Sequence, residues 1–117
     1  MIISDKKKST ARIKLDWSAY VAALEDKKAT DIAVLDVQGV CSFTDHIIIC
    51  TGMSDRQIKA MADHIIGTFG KPLGKEGIEQ GRLVLLDYFD VVIHIFQDEL
   101  RHYYDMESMW YEAKRIR

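Results

Sequence analysis

The chain has 117 residues, 48% of them apolar and 29% charged, with a formal net charge of -2. That length suits one domain with one core, and the composition is that of an ordinary globular protein rather than a disordered one. A nearly neutral chain carries no general attraction for nucleic acid phosphates, so any partner in a nucleoprotein particle is expected to be a protein. No apolar run is long enough to span a bilayer.

The opening "MIISDKKKSTARIK" is basic but has no apolar h-region, so it is not read as a secretory signal. Asp5 and the shortness of the segment argue against an organelle transit peptide. Residues 1–12 are expected to be a flexible N-terminus and 13–117 the folded domain, in the cytoplasm. Two cysteines, Cys41 and Cys50, are too few for a disulfide framework and are read as reduced thiols.

Asp16 is placed to cap a helix "WSAYVAALEDKK", with Leu15 and Tyr20 at staple positions and Lys27 and Lys28 where the helix dipole favours cations. "DIAVLDV" (31–37) is β-branched and apolar and predicts a strand. "HIIICT" (46–51) predicts a second one, its isoleucine run indicating burial on both faces. Ser54 followed by Gln57 is a capping box, and Ile58, Met61, Ala62, Ile65 and Phe69 mark the buried face of the helix that follows. Gly70 and Pro72 end it, and 71–81 is read as a glycine-containing loop. "LVLLDY" and "VVIHIF" predict two strands joined by a tight turn at Phe89-Asp90. The tail from Asp98 predicts one helix, or two with a break at Asp105. The order α-β-β-α-β-β-α argues for a single-domain α/β fold, a mixed sheet with helices mainly on one face.

Several constellations bear on chemistry. Cys41, His46, Cys50 and His64 lie close in sequence, but their spacing fits no zinc motif and buried thiols explain them better. "TGMSDRQ" places Gly52 and Ser54 between a strand and a helix, where an anion can bind. One glycine is not a phosphate loop, and a helix cap is the better explanation.

"LLDYFDVVIHIF" (85–96) holds two aspartates and a histidine in an oily run. Alternation puts Val84, Leu86 and Tyr88 on one face with Val91, Ile93 and Ile95, the face expected to meet the helices. Leu83, Leu85 and Asp87 share the other face with Val92, His94 and Phe96. Asp87 and His94 are then diagonal neighbours, while Asp90 sits in the turn. They read as a hydrogen-bonded structural pair, as direct partner contacts or, with Asp36, as a metal-binding or catalytic set. A hydrolase would also need a nucleophile and an oxyanion stabiliser, and none is evident. If the helices cover only the first face, the second leaves an exposed apolar patch of the kind that marks protein interfaces. Tyr103, Tyr104, Trp110 and Tyr111 suit either a core or an interface.

The stretches "ATDIAVLDVQG", "SFTDHIIICTGMSDRQIKAMADHI", "PLGKEGIEQG" and "LLDYFDVVIHIFQDELRHYYDMESMW" together resemble the ribosomal silencing factor family, also called Iojap-related, over roughly residues 13–112. The resemblance implies a nucleotidyltransferase-like fold without catalytic residues, no reaction and no cofactor. It implies binding to the fourteenth protein of the large ribosomal subunit, a block to subunit joining, repressed translation under nutrient limitation, little direct RNA contact and a homodimer when free. Leu83, Leu85, Asp87, Phe89, Asp90 and His94 are the expected partner-binding residues. Two positions depart from the family's pattern: Leu83 stands where tryptophan is usual, and Phe89 where glycine is usual in the turn. The runner-up is a nucleotidyltransferase-like or metal-dependent enzyme using Asp36, Asp87 and His94.

Overall fold

A computed structural model describes residues 16–104 and 113–117. The expectations for residues 1–12, for Leu15, for a second helix at Asp105 and for the side chains of Tyr103, Tyr104, Trp110 and Tyr111 lie outside what is described.

Helix α1 (Trp17–Asp26) begins after Asp16, whose extended backbone is that of an N-cap. Its carboxylate caps no amide and instead accepts from the Ser18 hydroxyl at 3.0 Å. Strands β1 (Thr30–Asp36) and β2 (His46–Gly52) follow, then helix α2 (Asp55–Phe69). The Ser54 hydroxyl accepts from the Gln57 amide at 3.1 Å, as the capping box predicts. The return bond is shifted by one residue: the Gln57 side-chain Oε1 accepts from the Met53 amide at 2.7 Å. The Gln57 side-chain nitrogen donates to the carbonyls of Lys27 and Lys28, tying the end of α1 to the start of α2.

Strands β4 (Leu83–Asp87) and β5 (Val91–Gln97) form the predicted hairpin, and α3 (Asp98–Tyr104) follows directly. Two strands were not foreseen. Within the expected loop, β3 (Gly74–Glu76) pairs with β4, and at the far end β6 (Lys114–Arg115), where a helical tail was predicted, pairs with β1. Neither has an apolar alternation, because each is a short, charged edge whose contribution is backbone pairing.

The described sheet runs β3-β4-β5-β2-β1-β6, with β2 and β5 parallel and the other pairs antiparallel. Central β2 is buried from Ile47 onward, which is why its sequence is a run rather than an alternation. Residues of α1 and α2 pack on Val34, Ile48, Cys50, Val84, Leu86, Ile93 and Ile95, the face expected to carry helices. Tyr88 joins that side: its ring lies 5.4 Å from Tyr20, and its hydroxyl donates to the Gly70 carbonyl at 2.7 Å. On the opposite face a second cluster joins Leu35, Val37, Ile47, Ile49 and Phe96, with Leu100 of α3 and Ala113 against it. The described helices therefore lie on both faces, two on one and one on the other. Arg101 of α3 donates to the Asp31 carbonyl and to the Thr51 hydroxyl, which fastens α3 across β1 and β2.

Candidate functional site

Among the described residues, the cover on this second face stops at β5. Strand β4 alternates, with Val84 and Leu86 fully buried beneath the helices and Leu83, Leu85 and Asp87 half-buried on the other side. His94, opposite Leu85, is half-buried too. Register aligns Glu76, Leu85, His94 and Ile49 in one row across four strands. A depression of roughly 200 Å³ opens there, lined by Glu76, Gly77, Leu83, Leu85 and His94.

The hairpin turn has two residues, Phe89 and Asp90, with the Tyr88 amide donating to the Val91 carbonyl at 2.9 Å. Phe89 takes φ +75°, a conformation that glycine adopts freely and a bulky residue adopts only under strain. The Asp90 amide donates to the Tyr88 carbonyl at 2.9 Å, the three-residue bond of a γ-turn. Two contacts hold this shape. The Asp87 carboxylate accepts from the Phe89 amide at 2.8 Å, and the Asp90 carbonyl accepts from the amides of Asp45 and His46 at 3.2 and 3.1 Å. Phe89 is 62% exposed at the tip.

Asp87 and His94 share the face that alternation gave them, but the expected bond between them is not made. Asp87 serves the turn, and the buried Nδ1 of His94 has no hydrogen-bond partner among the described residues. Burial pushes the His94 imidazole down from 6.5 to about 4, so the ring is neutral at physiological pH. Between those two values the unfolded chain binds more protons than the folded one. The stability this residue contributes is therefore complete above about 6.5 and is lost as pH falls toward about 4. Urea unfolding across that window should show a steeper loss in the wild type than in His94→Leu. Parallel curves would remove His94 as the source.

Asp36 falls on the opposite face. It is one residue beyond Leu35 and pairs with His46, while its carboxylate accepts from the Gln38 amide at 3.0 Å. Asp36, Asp87 and His94 are thus not brought together. The zinc candidates are dispersed as well. Cys50 lies in the helix-side core, its thiol pushed up to about 12 by burial, and Cys41 packs on the opposite cluster. His64 lies 3.5 Å from Asp26. Among the described residues no group of His, Cys, Asp and Glu is arranged to hold a metal ion.

The anion candidate has a packing explanation. A Cβ on Gly52 would stand 2.6 Å from Ile58 Cγ1, so glycine there lets α2 approach β2. The amides of Met53, Arg56 and Gln57 are already met by the side chains of Gln57, Asp55 and Ser54.

Of the exposed apolar residues that escaped the sequence reading, Leu73 and Phe43 lie next to the residues that hold the hairpin turn. Leu73 is 68% exposed, and its amide donates to the Asp87 carbonyl at 2.7 Å, beside the hairpin tip. Phe43 is 59% exposed, two residues before the Asp45 amide that braces the turn. Each is a large apolar residue in a glycine-containing connection, and that was the available signal.

The sequence model of the family described as "Ribosomal silencing factor during starvation" matches residues 10–117. The ribosomal silencing factor RsfS of Bacillus subtilis (strain 168) is 41% identical over 96 residues, covering 79% of this chain and 81% of that one. A crystal structure of a protein from Chromobacterium violaceum superposes with a TM-score of 0.75 at 38% identity, covering 80% of this chain and 82% of that one. A more distant relative, the mouse "Mitochondrial assembly of ribosomal large subunit protein 1", is 29% identical over 104 residues, covering 83% of this chain and 46% of that protein. No helix among the described residues is long and apolar enough to cross a membrane.

Proposed function

The chain belongs to the ribosomal silencing factor family, and on that premise we propose that it binds the large ribosomal subunit and blocks joining of the small one. The partner is the fourteenth large-subunit protein. The observation that carries this reading is the open half of the second sheet face. There Leu83, Leu85 and His94 form a floor that no described helix covers, and Phe89 stands at its rim. Asp87 and Asp90 take part by holding Phe89 in place. A monomeric domain seldom leaves such a patch without a use. The near-neutral charge suits docking on protein, with little direct RNA contact, in the cytoplasm. The mouse relative's name couples a similar domain to the large subunit of another ribosome.

The mechanism is steric and needs no reaction. A factor that occupies the joining face of free large subunits withdraws them from the association equilibrium by mass action. Translation falls accordingly, as the family's starvation description suggests. The free protein is a homodimer in this reading. Gradient sedimentation with separated ribosomal subunits tests it. The protein should travel with the large subunit, stay off the small one and reduce the peak of joined ribosomes. Failure to travel with the large subunit at low and moderate salt would discard the proposal.

A further inference from the structure

The row across the second face has a chemical order. Glu76 stands on the edge strand, Leu85 beside it and His94 beyond, with Leu83 and Gly77 closing the sides of the depression. At roughly 200 Å³ the space is smaller than the roughly 300–1,000 Å³ of small-molecule sites and has the scale of one inserted side chain. Among the described residues Glu76 is the one carboxylate in its lining, and that lining holds no cationic residue. Lys75 alternates to the other face of β3. Asp87 lies two residues from Leu85 on the same face and adds to the negative potential. His94 is kept neutral by burial, so it does not oppose a cation.

We propose that this depression seats one long basic side chain, lysine or arginine, of the protein partner, with its stem on Leu83 and Leu85 and its charge at Glu76. Such side chains bury an aliphatic stem while the charged head stays at the wet edge, and this floor and rim supply both surroundings. An RNA phosphate would be repelled by the same carboxylate. The inference rests on the large-subunit reading above and adds the chemistry of one contact.

The test uses the full chain and purified large subunits, with Glu76→Gln, Glu76→Lys and a control, Glu79→Lys. Glu79 is not in the lining of this depression; it lines the neighbouring one, which shares Glu76 and Gly77 but opens against Asp63 and Ile66 of α2. Thermal melts should show all three variants folded. Glu76→Gln should weaken subunit binding about fivefold and Glu76→Lys by at least roughly tenfold, with a shallower salt dependence, while Glu79→Lys stays within about twofold. If the wild type does not bind large subunits, the functional reading fails and the seat with it. If the wild type binds and Glu76→Lys binds as well as Glu79→Lys, the seat alone is refuted. Sedimentation velocity of the free proteins covers the remaining occupant. A changed self-association in Glu76→Lys with intact subunit binding would assign the depression to a second copy of the chain and overturn the proposal.

Discussion

Leu85→Glu is expected to weaken binding to large ribosomal subunits by about thirtyfold or more, the loss of an anchor worth about 2 kcal/mol, with the domain still folded. Leu85 is half-buried at the middle of the open floor, between Glu76 and His94. It belongs to neither core cluster, so a charge there can stay hydrated in the free protein. In the complex the same carboxylate would be covered, beside Glu76 and a neutral imidazole, with no cationic residue in the described lining to pair it. Leu83→Glu should act in the same direction but with some loss of stability, because Leu83 also packs on the Phe96 cluster. Co-sedimentation measures the first effect and thermal melting the second. If both folded variants bind as the wild type does, the docking face lies elsewhere on the molecule.

The hairpin that forms this floor was legible because alternation is a backbone property. Once Tyr88 and Val91 are paired, every side chain of both strands is assigned a face, and the structure keeps that assignment from Leu83 to Phe96. What alternation cannot supply is the destination of a polar group. Asp87 lies on the His94 face as read, yet its carboxylate turns to the Phe89 amide, the nearer and locally fixed donor. The turn was equally hard to judge. A two-residue turn favours glycine or asparagine over phenylalanine, yet the turn at Phe89-Asp90 forms at φ +75° because Asp87 and the Asp45–His46 amides brace it from both sides. Strand β3, which carries Glu76, left no trace in the sequence. Its three residues pair through backbone atoms alone, and flanking glycines read as loop. The cover over half of the second face was also illegible, since α3 has seven described residues and contributes mainly Leu100 and the Arg101 clamp.

Gly77→Ala should destabilise the domain by about 3 kcal/mol or more, combining a left-handed backbone with a clash that cannot relax. Gly77 has φ +82°, and a Cβ added there would fall onto the carbonyl oxygen of Leu83, well inside van der Waals contact. The obstacle is backbone at the first residue of β4, so no flexible side chain can give way. Gly39 separates the two contributions. It has nearly the same conformation, φ +81°, with nothing within 4 Å of an added Cβ, so Gly39→Ala should cost only the conformational part, about 1–2 kcal/mol. Urea unfolding should therefore lower the midpoint in both variants with an unchanged slope, and clearly further at Gly77. Equal losses would mean that the segment after β3 moves aside freely and does not fix the start of β4. The unequal loss matters for function, because Gly77 and Leu83 both line the depression. A backbone shift large enough to admit the methyl group would move Leu83 off the floor, so subunit binding should fall in Gly77→Ala even at temperatures where it remains folded, and stay intact in Gly39→Ala.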